Sequence, residues 1–92
     1  MQRVRVLIRG RVQGVGFRFY TCAQARELGL CGWVRNLAGG EVEAEFEGPE
    51  SAIETVLVRC GRGPALARVL ELLELERETV DVARNPGFSM RS

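Results

Sequence analysis

Gly10-Arg11-Val12-Gln13-Gly14-Val15-Gly16-Phe17-Arg18 joins two patterns of different period. Upstream, Val4, Val6 and Ile8 alternate with Arg3, Arg5 and Arg9, the period-two signature of a strand with one buried and one polar face. Downstream, Phe17, Thr21, Ala25 and Leu28 recur at helical spacing, which predicts a helix over 18–28 closed by Gly29. Between them, Gly14 and Gly16 let the backbone turn tightly and approach a ligand without a Cβ in the way. Successive N–H groups then point into one concavity, an anion site made of main chain. Arg18 follows at the start of the helix, where a guanidinium can fork onto two oxygens of a phosphate or carboxylate. A bare Gly-x-Gly is weak support for such a site. The strand–loop–helix context and the adjacent arginine are what favour anion binding.

Working outward, Cys31-Gly32-Trp33-Val34-Arg35-Asn36 reads as a second strand and Leu37-Ala38-Gly39-Gly40 as the turn of a hairpin. In the third strand Val42, Ala44 and Phe46 alternate with Glu41, Glu43, Glu45 and Glu47, and the glutamates are assigned to a solvated face. A second helix is expected to start with Pro49 at its first position and to bury Ile53, Val56, Leu57 and Cys60, with Gly61 ending it. The segment 65–77 is ambiguous: Leu66, Val69, Leu70 and Leu73 suit a helix, yet a run such as Val69 to Leu75 after a Gly-Pro loop equally suits a strand. Phe88 to Arg91 reads as a short last strand. If 65–77 is a strand, the order is β-α-β-β-α-β: an α+β domain spanning 1–92, with an antiparallel sheet and two helices on one face.

The 92 residues carry 13 basic and 12 acidic side chains, so there is no basic excess of the kind a nucleic-acid binder uses. Every basic residue is Arg, which excludes lysine chemistry, and there is no histidine to serve as a base or a metal ligand. Cys22, Cys31 and Cys60 are odd in number and lack Cys-x-x-Cys spacing, so they are read as packing residues of a reducing compartment. Met1-Gln2-Arg3 runs straight into the first strand pattern, with no signal peptide expected, and no apolar run is long enough to span a membrane. A cytoplasmic monomer without membrane or nucleic-acid partners, and without metal or other cofactor, is the expectation.

The glycine loop through Arg18, followed by Gly32-Trp33-Val34-Arg35-Asn36 and then Gly48-Pro49, resembles the acylphosphatase family in register over nearly the whole chain. The resemblance implies a ferredoxin-like α/β sandwich that hydrolyses the carboxyl–phosphate bond of acyl phosphates. It implies that Gln13, Gly14, Val15, Gly16, Phe17 and Arg18 cradle the phosphoryl group and that Asn36 positions the attacking water. It also implies a strand over 67–75. Some members finish on an aromatic residue where this chain has Ser92. A related unit opens larger proteins that mature hydrogenases.

The residues narrow the chemistry independently. The loop holds no Ser, Asp or Glu nucleophile, Cys22 has no histidine to activate it, and no carboxylates share metal-ligand spacing. An anion cradle, an arginine and an amide remain. Such a site suits a substrate already activated by a good leaving group, and a leaving carboxylate needs no general acid. Inorganic phosphate or sulfate is then an expected competitor. Asn36 by pattern alone is ordinary turn chemistry; only the resemblance gives it a catalytic role. Trp33 and Tyr20 permit a different reading, a non-catalytic anion- or RNA-binding module that stacks bases on the sheet, although the acidic third strand argues against it.

Overall fold

The structure is a computed structural model describing residues Met1–Ser92. Its elements are β1 (Gln2–Arg11), α1 (Phe17–Glu27), β2 (Cys31–Asn36), β3 (Val42–Gly48), α2 (Glu50–Arg62), β4 (Arg68–Thr79) and β5 (Phe88–Arg91). The strands form one sheet in the order β4-β1-β3-β2-β5. Period-two alternation sends Val4, Val6 and Ile8 of β1 and Val42, Ala44 and Phe46 of β3 to one face, where they are fully buried. The buried stripes of both helices, Phe17 and Ala25 of α1 and Ile53, Val56 and Cys60 of α2, complete the same core. Each large side chain so buried contributes roughly 1.5–3 kcal/mol of transfer free energy.

Segment 68–79 is a strand, paired antiparallel to β1 from Gln2↔Thr79 to Arg11↔Arg68. The sheet is mixed rather than wholly antiparallel, because β5 lies parallel to β2. The path of the chain dictates this. β4 ends beside the start of β1, and the segment 80–87 then crosses to the opposite edge, so β5 begins at the end where β2 begins. The first helix runs Phe17–Glu27 rather than 18–28, and both limits of the second differ from the sequence reading. Pro49 precedes the first helical residue and its carbonyl accepts the Ile53 N–H at 3.1 Å. The second helix runs through Gly61 to Arg62, and Gly63, at φ 71°, provides the left-handed backbone that stops it.

The third-strand glutamates do not form a solvated face. Glu43, Glu45 and Glu47 are 6%, 1% and 1% exposed. Arg3 and Arg5 of β1 reach Glu47 and Glu43 at 2.9 and 2.8 Å, and Arg35 of β2 reaches Glu43 at 2.7 Å. The crossing segment closes over the rest. Main-chain N–H groups of Arg84 and Asn85 donate to Glu47 at 2.8 and 3.1 Å, and the side chains of both residues bond Glu45. Charges can be buried here because every carboxylate is paired and hydrogen-bonded.

Candidate active site

The loop Val12–Gly16 leaves the end of β1 and enters α1 with Gly14 and Gly16 at φ 72° and 77°. Both lie in the left-handed region, where a Cβ would be strained although space is open. Gly16 is the N-cap residue; no side chain caps the helix and no acidic residue occupies its first turn. The first backbone bond of the helix runs from Tyr20 N–H to Gly16 O at 3.0 Å. The N–H groups of Phe17, Arg18 and Phe19 therefore precede the helical ladder, at the positive end of the helix dipole. Phe17 is buried, which anchors this turn in the core.

Arg18 is half-buried and has no carboxylate partner; its Nη1 donates to the main-chain carbonyl of Arg91 in β5 at 3.1 Å. Asn36, the last residue of β2, pairs with Val42 and so falls in the same inward-facing row as Val34. It lies at the end of that row, past the core. Its Oδ1 is buried without a hydrogen-bond partner. Gly14, Gly16, Arg18, Phe19 and Asn36 together line one small cavity of about 130 Å³. The structure thus brings Arg18, Asn36 and the two glycines around a single depression, although Arg18 and Asn36 lie 18 positions apart in the chain.

Gln13 behaves differently. Its side-chain amide turns to the β2–β3 hairpin and donates to the carbonyls of Leu37 at 2.7 Å and Glu41 at 2.9 Å. Only its main chain is left to face the cradle. The sequence offered no signal for this contact, nor for the Arg18 tether, since the acceptors are main-chain carbonyls. Val15 packs against the core from the loop.

The other residues considered have packing roles. Tyr20 donates its hydroxyl to the Arg59 carbonyl at 2.9 Å. Trp33 does point to the outer face, but the guanidiniums of Arg35 and Arg91 sit over its ring at 5.3 and 4.7 Å, so the ring is covered. All three cysteines are free. Burial pushes the Cys60 thiol up to about 12, and burial also raises Cys22. A larger open cleft of about 280 Å³ beside Arg9, Gly10 and Gly39–Glu41 contains neither Arg18 nor Asn36. No helix is long and apolar enough to cross a membrane.

The family model for acylphosphatase matches residues 4–90. The chain belongs to the acylphosphatase family. Among its relatives, the acylphosphatase of Rhodospirillum rubrum is 47% identical over 91 residues, covering 99% of this chain and 97% of that one. That of Geobacter sulfurreducens is 51% identical over 76 residues, covering 83% and 82%. The crystal structure of the Bacillus subtilis acylphosphatase superposes over the full length of both chains, with a TM-score of 0.93 and 32% identity. The unit also corresponds to 12% of the T. kodakarensis HypF chain, with a TM-score of 0.83 and 28% identity. The ferredoxin-like fold and the acylphosphatase activity, hydrolysis of the carboxyl–phosphate bond of a small-molecule acyl phosphate, follow from this membership.

Proposed function

We propose that the main-chain N–H groups of the 13–17 loop and the guanidinium of Arg18 hold the phosphoryl group, while the Asn36 amide positions the attacking water. The observation that carries this reading is the orphaned Asn36 Oδ1 in the same depression as Gly14, Gly16 and Arg18. No protein donor uses this amide oxygen, so it is free to accept a hydrogen bond from a water in the depression. In the proposed reaction the water oxygen bonds to phosphorus and the bond from phosphorus to the carboxylate oxygen breaks with its electron pair. The carboxylate departs as an anion and needs no acid. A proton of the attacking water passes to a phosphoryl oxygen, because an amide is too weak a base to keep it. The loop N–H groups and Arg18 face charge on the phosphoryl oxygens throughout, which is electrostatic catalysis by preorganised donors.

The same reading includes three further expectations. The reaction runs without metal; in support, no three cysteine, aspartate or glutamate side chains converge. Phosphate and sulfate occupy the cradle as competing anions. The enzyme works as a cytoplasmic monomer with no nucleic-acid partner. Hydrolysis of benzoyl phosphate by the wild type and by Arg18→Ala tests the core of the proposal. Turnover by the wild type and its collapse in a folded variant is the expected result, and equal turnover refutes the assignment of Arg18.

A further inference from the structure

We propose that Gln13 is the positioning residue that sets Asn36 against the phosphate cradle, by clamping the β2–β3 turn with both hydrogens of its amide. The inference rests on the site proposed above. It reassigns the Gln13 side chain from phosphate contact to alignment of the two halves of the site.

The chemistry of the contact is specific. A side-chain amide nitrogen carries two donor hydrogens. Both are used here, one on Leu37 O at 2.7 Å and one on Glu41 O at 2.9 Å. Those two carbonyls close the turn. Glu41 O also accepts Leu37 N–H at 2.8 Å, and Leu37 O accepts Gly40 N–H at 3.1 Å. Leu37 directly follows Asn36 and Gln13 directly precedes Gly14. One side chain therefore ties the residue next to the proposed water-positioning amide to the residue next to the cradle.

The site needs such a tie. The Asn36 side chain makes no hydrogen bond within the protein, so nothing at its amide end fixes it. Its direction follows from its backbone and rotamer. On one side that backbone is held by pairing with Val42. On the other lies an exposed tip, Ala38, Gly39 and Gly40, with two glycines and few packed neighbours. The cradle in turn hangs on a loop with two glycines in left-handed backbone. Without the clamp, two flexible segments approach the substrate independently, and a displacement of about 1 Å costs on the order of 10²-fold in rate.

The test is a Gln13→Met variant, which keeps the length and bulk of the side chain and removes both donors. In folded protein we expect kcat for benzoyl phosphate to fall by about 10-fold or more, the inhibition constant for inorganic phosphate to stay near wild type, and Gln13→Met to add little to Asn36→Ala. Wild-type turnover in Gln13→Met beside a disabled Asn36→Ala overturns this inference alone. So does a loss fully additive with Asn36→Ala, or a loss of phosphate affinity in proportion to kcat. Normal turnover by Asn36→Ala refutes the proposed site, and this inference falls with it. A measurement on the unaltered protein guards against a variant that does not fold. The side-chain NH₂ hydrogens of Gln13 should exchange slowly with solvent, and fast exchange excludes the clamp.

Discussion

Arg18 and Arg91 are joined through the main chain of the last strand, the Arg18 Nη1 donating to the Arg91 carbonyl at 3.1 Å. The contact takes one hydrogen of a guanidinium that has five and fixes the plane of the others. Arg18→Lys retains a charge but loses both the fork and this anchored plane. Because the group is proposed to meet phosphate in the ground state and the transition state, its loss should act on both. Arg18→Ala is expected to raise the inhibition constant for phosphate and to lower kcat, with Arg18→Lys recovering little. Steady-state kinetics with phosphate as inhibitor read both values, and a lysine variant close to wild type counts against the fork.

Asn36 should fail differently. Asn36→Ala leaves the loop and Arg18 in place, so phosphate inhibition is expected to stay near wild type while kcat falls by about 10²-fold or more. Normal kcat in the folded variant would return Asn36 to the status of a turn residue. A loss of phosphate affinity as large as that of Arg18→Ala would make it part of the cradle.

Inorganic phosphate and sulfate are expected to inhibit competitively at millimolar concentrations, whatever acyl group the substrate carries, because the cradle recognises a tetrahedral anion. Full activity should persist in chelator. Noncompetitive inhibition moves the anion site elsewhere, and loss in chelator with recovery on a divalent ion ends the metal-free reading.

The cysteines should be dispensable for turnover. With burial pushing the Cys60 thiol up to about 12 and raising Cys22, little thiolate exists at either at neutral pH. Replacing Cys22 and Cys60 by Ala and Cys31 by Ser should preserve kcat and cost about 1 kcal/mol for each buried site. Kinetics and denaturant unfolding of the same variant separate the two effects.

Stability should weaken in acid through Glu45 and Glu47. Burial opposes the charge on both carboxylates. Hydrogen bonds from Arg84 and Asn85, joined at Glu47 by Arg3, outweigh it and hold both below the ordinary glutamate value of 4.5. A folded-state value below the unfolded one stabilises the fold above the unfolded value, and the contribution is lost as pH falls through the folded one. The urea midpoint should be nearly flat from about pH 7 to about pH 5 and drop below about pH 4.5, less steeply in Glu45→Gln. Identical pH dependence in wild type and variant argues against this origin.

The alternation of Val4, Val6 and Ile8, the glycine loop and the hairpin at Asn36 were legible because each is a local signal. The fourth strand was not legible from its pattern, only from the family resemblance that implied a strand over 67–75, and its ladder explains why. Its pairing with β1 slips between Arg5 and Val6 and again between Arg9 and Gly10, so the period of two is broken, while Leu70 and Leu75 stay exposed. The covering of Glu45 and Glu47 was hidden for another reason. Alternation shows which face a side chain takes but not that a segment nearly 40 residues later lies across it. In the site, Arg18 and the glycines could be read from the loop itself. The approach of Asn36 needed the tertiary fold, and the Gln13 contact ends on carbonyls that carry no sequence identity.

The fourth strand also bears on how copies of this chain meet. As an outer strand of 12 residues it offers one row of unpaired N–H and C=O groups to solvent, a template on which another chain could extend the sheet. Arg68, Glu71, Glu74, Glu76, Arg77 and Glu78 crowd that strand with charge, and carboxylates outnumber guanidiniums by four to two. A second copy laid against it would strip water from these charges, which already pair within the chain: Glu71 with Arg9, Glu74 with Arg77, Glu76 with Arg5 and Glu78 with Arg3. The cost of desolvating those pairs opposes the addition of a further strand at this edge.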